Sequence, residues 1–314
     1  MNTDKDFISL VIPVYNEEEN LGPLINSAEN GLKGLLFEII AVDDGSTDGS
    51  KQALLKLRER FNNLKTISLK RNFGQTAALA AGIDQAKGGI IVTMDGDGQN
   101  DPSDIPALVN KLNEGFDVVS GWRKERKDPL ISRKLPSGIA NRIISFVTGV
   151  WIHDYGCTLK AYKREAIANL QMAGEMHRFL PAWCAWQGGK VTEIPVKHHP
   201  RLHGKSHYGF NRTFKVIIDL MTLKFFSGYL TKPNYLFSGI GLLFFILGTA
   251  AGVLAILDKF GPDLYPQFRI PLMLLAVFFG LVAVFLVLMG FLAELMVRLY
   301  FQVRNQKSYR LSDE

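Results

Sequence analysis

The chain is 314 residues long, with 36 Lys and Arg against 30 Asp and Glu and a formal net charge of +6. That length holds one sizeable domain and an appendage. Cys157 and Cys184 stand outside any C-x-x-C pair, which argues against a structural zinc site or a disulfide framework and for a reducing compartment.

In chain order, residues 7–15 (FISLVIPVY) form a short apolar, β-rich run that does not read as a signal peptide. A helical pattern follows, carried by Leu21, Leu24, Ile25 and Ala28. Residues 36–43 predict a second strand, then a Gly/Ser turn and a helix through about residue 61. Residues 64–69 predict a third strand, with a helix near 75–86, and 90–95 and 116–121 a fourth and fifth. Such alternation predicts βαβ units, an α/β fold with a mostly parallel sheet covered on both faces. Ligands of such sheets bind beyond the carboxyl ends of the strands. Residues 208–230 alternate charge with apolar blocks and read as amphipathic helices, on the membrane surface or packed on the domain.

Residues 236–299 are overwhelmingly apolar. Within them 237–257 and 271–293 carry no charged residue, and each is long enough as a helix to cross about 30 Å of hydrocarbon. A buried core hairpin is the alternative. The link between them is rich in Gly, Pro and aromatics, as interfacial turns are. Arg298, Arg304, Lys307 and Arg310 follow. The basic excess therefore lies on the side shared by the large domain and the C-terminus, which the positive-inside rule places in the cytoplasm of a multi-pass inner-membrane protein. The expected organisation is a catalytic domain at 1–207, juxtamembrane helices at 208–235, two spans in 236–299 and a cytoplasmic tail at 300–314. The spans offer a surface for homo-oligomer packing.

Charge placement narrows the partner. Arg123, Lys124, Arg126, Lys127, Arg133, Lys134 and Arg142 form one basic stretch, and Lys197, Arg201, Lys205, Arg212 and Lys215 another, just before the apolar region. A juxtamembrane basic run suits an anionic lipid surface better than nucleic acid.

Two acidic clusters sit at strand ends. Asp95-Gly96-Asp97 places two carboxylates two residues apart, a spacing that suits one hard cation, Mg2+ or Mn2+, shared with substrate phosphates. Asp43 and Asp44 end the second strand and suit hydrogen bonds to a base or ribose. Asp48 either joins them or caps the next helix. Gly74-Gln75-Thr76 opens a helix whose amides favour an anion or are merely capped. No GxxxxGK[ST] or GxGxxG is present, which argues against a P-loop enzyme or a dinucleotide oxidoreductase. His153, His177 and His198-His199 lack a ligand spacing and read as structural or solvent-facing.

Taken together, VIPVYNEEENL, VDDGSTDGS, RNFGQTAALAAGI and MDGDGQNDP, in this order, resemble glycosyltransferase family 2. SGWR at 120–123, the segment 132–149, DYGCTLKAY at 154–162 and RLHGKSHY at 201–208 resemble the dolichol-phosphate-mannose synthase group. With two appended spans the chain is similar to its bacterial branch, the bactoprenol glucosyltransferases of O-antigen modification. The resemblance implies a GT-A-type, Rossmann-like fold with interfacial helices and a transmembrane hairpin. It also implies a nucleotide-sugar donor and a polyprenyl-phosphate acceptor. By position, Pro13, Tyr15 and Glu17 match the first nucleotide-binding motif, and Asp44 the aspartate that holds the nucleoside. Asp95 and Asp97 match the metal and diphosphate motif, and Gln99 its neighbouring contact. Arg201 and Ser206 match the loop whose arginine meets the phosphates. That loop usually continues Ser-Lys; here it reads Ser206-His207, and Lys205 stands in for the missing lysine.

The expected reaction is inverting transfer of a hexose, glucose from UDP-glucose, to undecaprenyl phosphate. Mannose from GDP, N-acetylglucosamine and an aminoarabinose are alternative sugars. Arg123, Arg133, Ser137 and Arg142 are the candidates for the lipid phosphate, because arginine meets phosphate through paired donors. Asp154 is a general base, if the reaction needs one, or orients the acceptor or a basic partner. A processive synthase would carry QxxRW, and Gln187-Gly188-Gly189-Lys190 does not match. A nonenzymatic membrane scaffold is the competing class.

Overall fold

The computed structural model describes residues 6–124, 135–168, 172, 174, 176–200, 233–260 and 266–304. Arg133, Arg201, Lys205, Ser206 and the 208–230 segment lie outside them. The chain forms two compact units, Met1–Leu220 and Met221–Glu314.

The first unit is a seven-stranded sheet, β1 (Ile8–Val14), β2 (Phe37–Asp43), β3 (Leu64–Ser68), β4 (Ile90–Thr93), β5 (Val118–Trp122), β6 (Lys160–Lys163) and β7 (Val191–Pro195), in the order β3-β2-β1-β4-β6-β5-β7. Every pairing is parallel except those of β6, which runs against both β4 and β5. The first five strands fall where their apolar runs predict. β6 and β7 had no such signal.

Seven helices accompany the sheet among the described residues: α1 (Glu18–Gly31), α2 (Ser50–Arg60), α3 (Gln75–Gln85), α4 (Ile105–Asn113), α5 (Leu135–Thr148), α6 (Arg164–Ile167) and α7 (Leu180–Trp186). α1 buries Leu21, Leu24, Ile25 and Ala28, the i, i+3, i+4, i+7 stripe of a helix lying on a sheet. Those side chains join Ile8, Leu10, Ile12, Leu54, Leu108 and Leu112 in the core of one face. On the other face Val11, Ile40 and Val42 pack against Ala78 and Leu79 of α3 and Leu180 and Cys184 of α7. Both faces are covered, which is why the central strands are apolar over most of their length.

The topology fixes where a site can form. The chain leaves β1 toward β2 and β3, then crosses to β4 on the other side of β1. That reversal opens a crevice beyond the carboxyl ends of β1 and β4. Because β6 runs backwards, the residues leading into it, 154–159, arrive at this same edge, beside the ends of β4 and β5.

The second unit is a hairpin of α8 (Pro233–Phe260) and α9 (Pro266–Arg304). Small residues let the two helices approach: a Cβ on Gly248 would lie 3.1 Å from Ala276 O, and one on Gly241 3.1 Å from Ala283 O. Phe244 meets Phe279 edge to face, and Arg269 pairs with Asp258 near the turn. Leu243, Phe245, Leu274, Phe278 and Leu281 point outward and are exposed. The apolar surplus is thus not a buried core. Both helices are long and apolar enough to cross a membrane.

Candidate active site

β4 ends at Thr93, and Met94 N still donates to Val11 O of β1. Strand alternation sends Met94 into the α1-side core and Asp95 to the opposite face. Gly96 then passes against β1, where a Cβ would lie 2.9 Å from Pro13 O, so this step requires glycine. Pro13 therefore shapes the floor of the site through its backbone. Asp97 is buried, and its Oδ1 accepts from Gln99 N at 3.1 Å. Asp95 keeps some contact with solvent, yet its carboxyl lies deep in the crevice with protein on all sides. That burial, together with the Asp97 charge, pushes Asp95 up to about 6. Two carboxylates that resist ionising together are a fit for a divalent cation, which would relieve both the burial and the repulsion. Among the described residues no group of three or more His, Cys, Asp or Glu forms a metal cluster. The pair therefore fits a cation that takes its remaining oxygens from substrate and water.

The β2 end supplies the second acidic position. Asp44 is buried, and its two oxygens accept from Phe73 N and Gly74 N, each at 2.8 Å. The anion at the entrance to α3 is therefore the protein's own. Asp44 fixes the 71–74 loop to the sheet edge, while Asp43 accepts from Ser46 N. Asp48 accepts from Ser50 N at the start of α2 and from Glu18 N. After β1, Asn16 takes a left-handed φ of 56° and its Oδ1 accepts from Thr47 N. Glu17 N donates to Ser50 Oγ, and Tyr15 is exposed at the crevice rim. Gly45 has φ 68°, and a Cβ there would lie 2.5 Å from the Arg71 carbonyl carbon. Gly45→Ala is expected to cost roughly 2 kcal/mol or more by strain and backbone displacement. The measurement is a lower melting temperature than the parent's.

The third group arrives from β5 and the lead-in to β6. Arg123 Nε and Nη2 grip the two oxygens of Asp154 at 2.7 and 2.9 Å, with side chains 13% and 9% exposed. Of the roles open to Asp154, orienting a basic partner is the one this geometry realises. A carboxylate held by a bidentate guanidinium is poorly placed to take a proton. Burial opposes the charge on Arg123, but the Asp154 bonds and charge outweigh it and hold Arg123 above its ordinary range. Lys160, fully buried, donates to Tyr155 O at 3.1 Å and so pins the turn that carries Asp154. Burial brings its ammonium down to about 8.

Arg142 sits on the exposed face of α5 beside Ile143 and Phe146, with Trp151 exposed just beyond. Ser137 belongs to the first turns of α5. Of the described histidines, His177 is buried against Thr76 Oγ1 at 2.6 Å, His153 pairs with Glu193 and stacks on Trp122, and His199 meets Asp101 at 3.2 Å. Sequence reading missed Asn16, Asn100 and Thr158 and the Asp95 contact of Gln75. Their partners lie 20 or more residues away, so no local pattern reveals them.

Comparison with known proteins follows this geometry. The family model of glycosyl transferase family 2 matches residues 9–171. A dodecaprenyl-phosphate galacturonate synthase of Rhizobium johnstonii is 42% identical over 318 residues, covering 96% of this chain and 91% of that protein. An undecaprenyl-phosphate 4-deoxy-4-formamido-L-arabinose transferase of Salmonella paratyphi B is 38% identical over 307 residues, with the same coverage. Among solved structures, glucosyl-3-phosphoglycerate synthase from Mycobacterium tuberculosis, in complex with Mn2+, UDP and phosphoglyceric acid, superposes with a TM-score of 0.55. It is 18% identical and covers 71% of this chain and 79% of that one, a likeness of GT-A fold. With its strand-end carboxylates, its sheet order and these matches in agreement, the chain belongs to glycosyl transferase family 2.

Proposed function

We propose that this chain transfers a sugar from a nucleotide donor to a polyprenyl phosphate at a membrane surface. The observation that carries the reading is the buried Asp95–Asp97 pair at the crevice, in a chain that also ends in an apolar helix hairpin. The relatives named for dodecaprenyl and undecaprenyl phosphates support the acceptor. The expectation of glucose finds no support in them, since they are named for a galacturonate and a formamido-arabinose. We therefore rank uronic and modified-pentose donors ahead of UDP-glucose.

In this reading Asp95 and Asp97 would hold Mg2+ or Mn2+, which when bound would supply charge neutralisation for the departing diphosphate. Asp44 keeps the 71–74 loop in place for the nucleoside, with Tyr15, Glu17 and Gln99 along the same rim. Arg123, fixed by Asp154, presents its remaining donors to a phosphate. Arg201, Arg133, Lys205 and Ser206, the other candidates for phosphate contact, lie outside the described residues. The acceptor phosphate is anionic at neutral pH, so its oxygen attacks the anomeric carbon without a strong base while the bond to the diphosphate breaks. A single displacement inverts that carbon.

A bilayer partner is supported by the outward apolar faces of α8 and α9, by the basic residues near the hairpin, and by the exposed Ile143, Phe146 and Trp151 near α5. The catalytic domain at 1–207 and the tail at 300–314 then share the cytoplasmic side.

The test is incubation of the detergent-solubilised chain with undecaprenyl phosphate, Mn2+ and a panel of radiolabelled nucleotide-sugars, followed by lipid extraction. Label in the lipid phase with UDP-galacturonate or a UDP-linked formamido-arabinose is the expected result. Label with UDP-glucose alone would restore the sequence expectation. Absence of lipid label with the whole panel, GDP-mannose and UDP-N-acetylglucosamine included, would overturn the reading.

A further inference from the structure

We propose that Thr158 and Gln75 are positioning residues of the cation pair, fixing the Asp95 carboxylate from two separate elements, with Asn100 orienting the Thr158 hydroxyl. The proposal rests on the reading of Asp95 and Asp97 as cation ligands. Thr158 lies two residues before β6, on the segment that the reversed strand brings to the end of β4. Its carbonyl accepts from Thr93 Oγ1 at 2.7 Å, which ties its backbone to the last residue of β4. Its hydroxyl accepts from Asn100 Nδ2 at 3.1 Å. The same hydroxyl lies beside the Asp95 carboxyl and favours its ionised form, and because a hydroxyl has one proton, accepting from Asn100 leaves that proton to turn toward Asp95.

Asn100 is itself braced. It is buried and forms an isolated antiparallel bridge with His198, and His199 N donates to Gln99 O at 2.8 Å. On the α3 side, Gln75 Nε2 donates to Asp95 Oδ1 at 2.6 Å. Gln75 is the first residue of α3, directly after the Gly74 amide that Asp44 holds. Asp97, meanwhile, is oriented by the Gln99 amide. Both side chains beside Asp95 are neutral and carry a donor. They aim the carboxylate without cancelling the charge that a cation needs, and the carboxylate keeps lone pairs to spare. Outer groups of this kind typically carry a 10–100-fold share of metal affinity.

The experiment measures Mn2+ binding to the full chain in detergent by the loss of the free-ion EPR signal, with Mn2+ as the only added ligand. Thr158→Val and Gln75→Leu should each weaken binding about 10–100-fold, and Thr158→Ser should bind within about threefold of the parent. Parental affinity in Thr158→Val, or a loss in Thr158→Ser as large as in Thr158→Val, would overturn the proposal. The second result would mean that the methyl packs and the hydroxyl does nothing. Asp97→Ala separates this from the underlying reading. If that variant still binds Mn2+ as the parent does, the cation site itself is elsewhere. If it loses the ion and both Thr158→Val and Gln75→Leu keep it, the site stands and only the positioning roles fall.

Discussion

Asp95→Asn is expected to yield a protein that melts at a higher temperature than the parent in metal-free buffer and transfers almost no sugar. The stability half follows from the carboxyl's raised position, which burial and Asp97 set at about 6 against an ordinary 3.8. A group raised in this way keeps its proton longer in the folded state than in the unfolded one. Stability is therefore fully retained below about 3.8, falls as the pH climbs through about 6, and is flat above that. At pH 7 the parent carries the whole cost, on the order of 1–2 kcal/mol once the carboxyl's contact with solvent is discounted. Asparagine removes the charge, keeps an oxygen for the Gln75 amide, and keeps the volume. The gap between the two melting temperatures should close as the buffer is taken from pH 7 toward 4. Added Mn2+ should raise the parent and leave the variant where it is, because only a binder of the folded state shifts the midpoint. Transfer should drop roughly a thousandfold or more, since a ligand to the ion that neutralises the leaving group is gone. A variant that melts lower than the parent at pH 7, or that responds to Mn2+, would contradict the assignment of Asp95 as a strained ligand.

This trade of stability for chemistry is also why the acidic pair could be read early while its supports could not. Asp95 and Asp97 stand two apart at the end of an apolar run, and local spacing is enough to single them out. β1, β2, β4 and β5 are legible for a similar reason, since strands covered on both faces are apolar over most of their length, and the edge strand β3 keeps enough of that pattern in Leu64 and Ile67. β6 reads KAYK, and nothing in those four residues announces a strand. Its first lysine is buried because a carbonyl 5 residues away accepts from it, a tertiary fact. β7 lies at the sheet edge, half-buried, with Glu193 inside it and a terminal proline, as edge strands often have. Without β6 and its reversed direction there is no reason to bring residues 154–158 to the edge that carries Asp95 and Asp97. Asp154, Thr158 and the true partner of Arg123 are therefore invisible from spacing. Asp44 is an intermediate case. Its place at the edge is legible, but its bonds to Phe73 and Gly74 depend on how β3 hands over to α3. α9 runs on to Arg304, well past the apolar stretch that marks it, because a helix ends where capping and propensity end it and not where hydrophobicity fades.

The Arg123–Asp154 pair gives the other large expected effect, and a double-mutant cycle reads it. Arg123→Met leaves the Asp154 carboxylate enclosed without its guanidinium, and Asp154→Leu leaves Arg123 enclosed without its counter-charge. Each should cost about 3–5 kcal/mol, because a buried charge stripped of its bidentate partner is far more expensive than no charge at all. For a unit of this size that corresponds to a fall of roughly 10 °C in melting temperature. The double variant should recover most of the loss, since two apolar side chains replace a pair that was dehydrated together. Under the proposed function transfer should stay low in all three, as the guanidinium proposed to meet the phosphates is absent or displaced. A general base at Asp154 makes the opposite forecast: Asp154→Asn would lose turnover at an unchanged melting temperature, with the acid limb of the pH–rate profile gone. On the bidentate geometry, Asp154→Asn instead loses stability along with turnover, and whatever transfer remains keeps the parental dependence on pH, because the proton balance of the reaction belongs to the acceptor phosphate and not to this carboxylate.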